Sequence, residues 1–185
     1  MHTEQGESRH GQFSATHDRP RLLRRLKTLR NVEWFNIPFL VLVLYLAWSD
    51  RSMDALWQRL TAYALVAFLL LMGGWYWHLK VAQIGRGRSI ESQLTTLARI
   101  RMVASVILGC TSVALVASWI AGIGHTADRG WATGFLVLAW AEYVNYFHYQ
   151  LMHDTRSDLE RLRRTGKLRR SWLAADLDGM RRGGA

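Results

Sequence analysis

Cysteine and proline are almost missing from this chain of 185 residues, which contains one Cys and two Pro. A single cysteine excludes an intrachain disulfide, and because Cys110 lies within an apolar run we interpret it as a small packing residue. With only Pro20 and Pro38 present, little interrupts the formation of long helices. No apolar segment with a small-residue cleavage site lies near the N-terminus, so we predict no secretory signal peptide.

Recognisable catalytic and nucleotide-binding motifs are also missing. Gly85 and Gly87 do not form a phosphate loop, because no strand precedes them and no Lys-Ser or Lys-Thr pair follows. His148 and His153 are five residues apart, so they do not share a helical face as a metal-binding pair at i and i+4 would. No nucleophile elbow, zinc-protease motif, dinucleotide fingerprint or kinase motif occurs. The sequence therefore favours a non-enzymatic protein with no catalytic residues, no metal ligands and no cofactor.

Long apolar runs are what the sequence does contain. Half of its residues are hydrophobic, yet the mean hydropathy is only -0.03, so apolar and charged residues occupy separate blocks. Four runs predict transmembrane helices, over about 33–49, 56–79, 100–124 and 131–151. The last three have at least 20 mostly apolar residues, enough to cross a hydrocarbon core of ~30 Å. Spanning segments must satisfy their own backbone hydrogen bonds, which requires helices.

Positive charge is scarce on one side of this predicted bundle. Of the 24 Lys and Arg residues, seven precede the first span, five lie between the second and third or at the start of the third, and nine follow the fourth. Only Arg51, Arg59 and Arg129 fall on the other side. The positive-inside rule therefore predicts that both termini are cytoplasmic. The net charge of +10 is then a topology signal, and we predict a multi-pass protein of the cell membrane, in a bacterium the inner membrane, with no nucleic-acid partner.

The segments outside the spans are small and mostly basic. Residues 1–18 are polar and predict a disordered tail. Residues 19–33 have leucines at helical spacing with Arg and Lys between them, which predicts a basic amphipathic helix on the membrane surface. Residues 152–185 predict a basic cytoplasmic helical tail, interrupted at Gly166. The predicted fold is an all-α, four-helix membrane bundle over 34–151, N-in and C-in, with basic amphipathic surface helices at both ends.

The fourth span carries the most informative polar residues. Glu142 lies 11 residues after Trp131, which places it about 16 Å deep at 1.5 Å per residue. Ionisable groups at such depth are costly and often functional. One broad helical face holds Glu142, Asn145, Tyr146, Tyr149 and His153.

Other spans bring polar groups to the same cytoplasmic half. These residues are Glu33, Asn36, His78, Lys80 and Arg101. We therefore predict a polar cluster with Glu142 as its deepest member, and with Arg101, Lys80 or a histidine as the counter-charge. The cluster could be a structural ion pair that fixes helix packing, a ligand or ion site, or a catalytic site.

Three functions follow from these patterns. The first is an accessory, assembly or sensing component whose basic cytoplasmic face meets anionic lipid headgroups or an acidic protein partner. The second is a small ion channel or a proton- or ion-coupled transporter that uses Glu142. The third is an electron-transfer protein with a b-type haem held between His78 and His148.

Small residues recur every four positions along the third predicted span. They are Cys110, Ala114, Ser118 and Gly122. Small residues at this spacing let helices approach closely. We interpret them as internal packing of the bundle, and the alternative is the seam of a homo-oligomer.

Overall fold

The computed structural model describes residues 7–47, 56–151, 160 and 163–183, and each named element in these ranges is an α-helix. In chain order the helices are α1 (Glu7–Ala47), α2 (Leu56–Arg86), α3 (Glu91–Ala121), α4 (Thr126–Phe147) and α5 (Trp172–Gly183). The prediction of an all-α protein is confirmed.

Among the described residues, three helices are long and apolar enough to cross a membrane. They are the Leu22–Leu46 part of α1, the whole of α2 and the whole of α3. At 1.5 Å per residue, α2 and α3 are each about 46 Å long, which exceeds a hydrocarbon core of ~30 Å. α4 is not among the three, because Glu142, Asn145 and its Trp and Tyr residues lower its mean hydropathy.

α1 differs from the prediction because it is one continuous helix. It begins at Glu7 rather than near Asp18, so the predicted disordered tail is helical from residue 7 onward. Residues 1–6 lie outside the described residues. Both prolines lie inside the helix. No break separates the segment predicted as a surface helix from the predicted first span, since residues 30–35 contain no glycine or proline to end a helix.

The N-terminal part of α1 packs along α2. The guanidinium of Arg19 donates to the carbonyl oxygen of Ile84, Leu23 lies against Gly85, and Leu26 is buried. These contacts place residues 19–33 against protein on their apolar side. Leucines of this segment thus find a protein partner in α2, and its position on a membrane surface stays a prediction.

The four long helices alternate in direction. Arg19, early in α1, contacts Ile84, late in α2, and a turn at residues 87–90 joins α2 to α3. Trp119, at the end of α3, donates through Nε1 to Thr133 Oγ1 near the start of α4 at 3.1 Å. The basic segments 19–30, 80–101 and 163–170 therefore lie at one end of the bundle, which we call the basic end.

α2 is the central helix of the bundle. It packs against α1 on one side and α4 on another, while α3 packs mainly on α4. Ala62, Val66 and Leu69 are fully buried along its length. Leu108 of α3 and Ala139 of α4 complete this apolar core.

The outer faces of α1 and α3 are apolar and exposed. Phe35 and Tyr45 project from α1, and Val113 and Ile120 from α3, with Ile120 83% exposed. Soluble monomers rarely expose continuous apolar patches beyond a few hundred Å². Exposed apolar faces on helices of spanning length are compatible with a membrane protein.

The small residues of α3 do not form one internal seam. Ser118 is buried, whereas Cys110, two turns earlier, is exposed. The buried stripe instead contains Ala104, Leu108 and Leu115. The repeat of small residues therefore does not mark the packing face of α3. Its spacing of four residues differs from the 3.6 residues of a helical turn, so successive small residues rotate around the helix.

α4 ends earlier than the predicted fourth span. The backbone N–H groups of His148 and Tyr149 both donate to the carbonyl of Val144, at 3.0 and 2.9 Å, which closes the helix. The chain then turns, and the N–H of Gln150 donates to the carbonyl of Arg169 at 2.8 Å. Tyr149 is exposed and lies outside the helix. The prediction that it shares a helical face with Glu142 is therefore wrong.

α5 packs on the bundle at the basic end. Ser171 caps it, since its Oγ accepts a hydrogen bond from the N–H of Ala174 at 3.1 Å, as favoured N-cap residues do. Leu173 and Leu177 are buried against α3 and α4. This helix contains two Asp and two Arg. α5 is therefore not itself basic, whereas the predicted basic tail of 152–185 includes residues outside the described ones and stays a prediction.

Candidate functional site

Two adjacent glycines of α2 bring three helices to one point. A Cβ at Gly73 would overlap the hydroxyl end of the Tyr146 side chain from α4. A Cβ at Gly74 would lie 3.2 Å from Nε1 of Trp34, which comes from α1. Small residues permit such close approach between helices. α1, α2 and α4 therefore meet here, at mid-height of the bundle.

Two carboxyl groups meet beside the Tyr146 hydroxyl. Glu33 comes from α1 and Glu142 from α4, and both interact with that hydroxyl and with each other. Glu33 is 7% exposed and Glu142 is half-buried. Asn145 hydrogen-bonds to Glu142. We call Glu33 and Glu142 the carboxyl pair.

The carboxyl pair has no cationic partner within the described ranges. No Lys, Arg or His there forms an ion pair with Glu33 or Glu142. One oxygen of each carboxyl and the Tyr146 hydroxyl also lack a hydrogen bond of regular geometry. The sequence predicted the meeting of these three residues, but it did not predict that two acids would share the site without a base.

Lys80 is paired elsewhere, so its prediction as counter-charge for Glu142 is wrong. Its ammonium lies 2.7 and 2.9 Å from the two carboxylate oxygens of Asp176 in α5. The hydroxyl of Tyr76 donates to the same carboxylate at 2.7 Å. Helical periodicity could not reveal this partner, because Asp176 is 96 residues away from Lys80.

The remaining predicted residues do not join the carboxyl pair. Arg101 lies near His148, together with Arg170. The His148 ring packs beside Tyr143, with ring centres 5.6 Å apart, and His78 is on an exposed face of α2. A haem site between the two histidines stays a prediction.

Asn36 and His153 are the other two residues of the predicted polar cluster. Asn36 is half-buried on α1, three residues after Glu33. His153 lies outside the described residues.

A small cavity adjoins the carboxyl pair. Its volume is about 30 Å³, and since one water needs roughly 10–15 Å³ measured in this way, it has room for one or two water molecules. The residues around it are Leu29, Glu33, Tyr76, Trp77, Asn145, Tyr146, Gln150, Ser171, Trp172 and Leu173. The cavity therefore joins one carboxyl group to polar side chains at the basic end.

α5 forms one wall of this cavity. Ser171, Trp172 and Leu173 line it, and Ser171 Oγ donates to the backbone carbonyl of Tyr146. The Trp172 ring also lies 5.9 Å from the Lys80 ammonium. The start of α5 is thus attached directly to the residue between the two carboxyls.

A second charged site lies at the opposite end of the bundle. Arg59 of α2 and Asp128 of α4 form an ion pair, with exposures of 3% and 0%. Gln58 beside them donates to the carbonyl of Ile123 at 3.4 Å. By sequence alone, Arg59 is only a flanking charge of the second predicted span. The sequence does contain a signal for this pair. Arg59 and Asp128 have opposite charges and lie near the starts of α2 and α4, and helices that alternate in direction place these two starts at the same end of the bundle.

Comparison with protein-family models, with curated protein sequences and with solved structures gives no match to this chain. Within the described ranges, no group of three or more His, Cys, Asp or Glu residues is arranged to hold a metal ion. The carboxyl pair and its cavity are therefore the features on which a functional argument rests.

Proposed function

We propose that this protein is a non-enzymatic, multi-pass membrane protein that binds a proton at the carboxyl pair and acts as a sensing component. One observation carries the proposal: Glu33 and Glu142 share a buried hydroxyl, and no cation among the described residues is paired to either. Two ionised carboxylates at such a site repel each other and lose their hydration. A proton shared by the pair removes the repulsion and leaves one desolvated carboxylate instead of two, and it belongs to the pair rather than to one residue.

The side chains around the cavity favour a bound proton, rather than a basic side chain, as the positive charge at the carboxyl pair. Tyr146 of α4, Tyr76 of α2 and Ser171 of α5 are neutral hydroxyl groups around the cavity. The nearest described ion pair, Lys80 with Asp176, is internally neutralised. Among the described residues that line the cavity there is no Lys, Arg or His. The negative charge of the carboxyl pair is therefore available to a mobile cation, and a proton is the smallest such cation.

Infrared difference spectroscopy on the full chain in lipid nanodiscs tests the proton. We expect a C=O band of a protonated carboxyl group that shifts in D₂O and disappears at high pH. The double variant Glu33→Gln with Glu142→Gln should lack this band, because neither amide carries an acidic proton. Glu91→Gln, at an exposed position, is the matched control and should keep the band. A wild-type spectrum with no such band, or a band that survives in the double variant, would contradict the proposal.

A coupled transporter is the second candidate, and the cavity between the carboxyl pair and the basic end favours it over a channel. A channel needs a continuous path, whereas Ala62, Val66 and Leu69 are fully buried between this site and the opposite end. Proton uptake into proteoliposomes distinguishes the two roles. A transporter acidifies the vesicle lumen when its substrate is supplied, whereas a sensor binds the proton without net flux.

We further propose four crossings with both termini cytoplasmic. The support is the clustering of 21 of 24 basic residues at one end of the predicted bundle together with the alternating direction of α1 to α4. Positive charge of this kind stays in the cytoplasm. In this proposal α4 crosses despite its lower hydropathy, because α2 and α3 cover much of its polar surface.

Cysteine labelling tests this topology. In a Cys110→Ala background, we expect Ala127→Cys to react with a membrane-impermeant maleimide in intact cells. Arg88→Cys should react only after permeabilisation, because it lies in the basic turn after α2. Both positions are exposed, so protein burial does not limit labelling. Reaction of Arg88→Cys in intact cells would contradict the N-in, C-in arrangement.

A further inference from the structure

We infer that α5 is a lid over the carboxyl pair, held shut by Asp176, and that it controls proton exchange with the cytoplasm. The inference rests on the proposed function, since it concerns access to the same site. α5 and its capping residue contribute three of the residues that line the cavity, Ser171, Trp172 and Leu173. Movement of this helix away from the bundle removes one wall of the cavity and widens its access to water.

The opposite route to the site is closed by packing. Ala62, Val66 and Leu69 of α2 and Ala139 of α4 are 0% exposed. Such interiors pack as densely as organic crystals and leave no room for a chain of water molecules. Protons therefore reach the pair from the basic end, where α5 lies.

Asp176 connects α5 to two side chains on one face of α2. Tyr76 and Lys80 are four residues apart, so they project from the same side of that helix. The Tyr76 hydroxyl donates to Asp176 at 2.7 Å, and the Lys80 ammonium donates to both of its carboxylate oxygens. The Lys80 side chain is 9% exposed and that of Asp176 is 21% exposed. Charge-assisted hydrogen bonds of this kind are stronger than neutral ones.

The other contacts of α5 are mainly apolar. Leu173 and Leu177 bury apolar surface on the bundle, and Thr95 of α3 touches Met180 through Oγ1 and Sδ, 3.7 Å apart. The ion pair of Asp178 with Arg170 connects α5 only to the segment just before it. Asp176 is thus the charged group of α5 that holds it to α2, and Asp178 is a natural control two residues away.

The test measures how fast the carboxyl proton of the pair is replaced by deuterium. Full-length protein in nanodiscs is diluted into D₂O, and the shift of the protonated-carboxyl infrared band is followed with time. Asp176→Ala should accelerate this exchange by about tenfold or more, because loss of the latch raises the population of the open state. Asp178→Ala should exchange at the wild-type rate. Equal rates for Asp176→Ala and Asp178→Ala would overturn the lid.

A crosslink keeps the inference testable if Asp176→Ala does not fold. In a Cys110→Ala background, Thr95→Cys and Met180→Cys are joined by a short bis-maleimide, which holds α5 on α3. We expect exchange to become slower than in the same variant before crosslinking, and an unchanged rate would overturn the lid. These outcomes are separate from failure of the proposed function, which shows as absence of the protonated-carboxyl band in the wild type.

Discussion

Replacing Asp128 by Ala is expected to lower the free energy of unfolding by about 3–5 kcal/mol, the cost of leaving one partner of a buried ion pair without the other. Arg59 is 3% exposed, so its guanidinium cannot recover hydration without disrupting the packing of α2 against α4. Chemical denaturation in a mild detergent, followed by Trp fluorescence, measures the loss.

The pair of Asp178 and Arg170 is the matched control for this experiment. The Arg170 side chain is 58% exposed, and exposed ion pairs contribute about 0–1 kcal/mol. Asp178→Ala should therefore change the stability little. The double variant Arg59→Met with Asp128→Leu should recover much of the loss, because apolar side chains often replace buried ion pairs without cost. Equal stabilities of Asp128→Ala and Asp178→Ala would show that burial does not decide the effect.

Gly73→Ala is expected to lower the free energy of unfolding by about 1–3 kcal/mol, the usual cost of overpacking a close-packed interior. The added Cβ overlaps the hydroxyl end of Tyr146, and α2 and α4 must separate to accept it. Because Tyr146 lies between the two carboxyls, the same change should also alter the protonated-carboxyl infrared band. Denaturation and infrared spectra of one preparation measure both effects.

Gly109→Ala provides the comparison. Gly109 lies inside α3, and no heavy atom comes within 4 Å of a Cβ built there. Because Ala is the better helix former by about 1 kcal/mol, this variant should be as stable as the wild type or slightly more so. A loss in Gly109→Ala equal to that in Gly73→Ala would mean that glycine matters through helix flexibility rather than through close approach.

The carboxyl pair illustrates how far sequence reasoning extends into the site. Depth along a helix follows from counting residues at 1.5 Å each, and alternating spans put Glu33 and Glu142 in the same half of the bundle. The sequence therefore identified both acids and Tyr146 as candidates. It predicted a basic partner for Glu142, because a buried charge usually has one. In the described structure Lys80 is instead paired with Asp176.

The sequence by itself determined that the protein is helical and that several of its helices are long and apolar enough to span a membrane, because hydropathy and the near absence of proline are properties of the local chain. Periodicity also identified α5 as an amphipathic helix after Gly166. Only the tertiary structure decided which helices are neighbours and which charges meet. Lys80 pairs with Asp176 across 96 residues of sequence, and Arg59 reaches Asp128 in a helix that is not the next along the chain. Local periodicity defines which face of a helix is polar, but the partner of that face depends on packing between segments that are distant in the sequence. Close contacts such as that of Tyr146 with Gly73 select one arrangement of the helices.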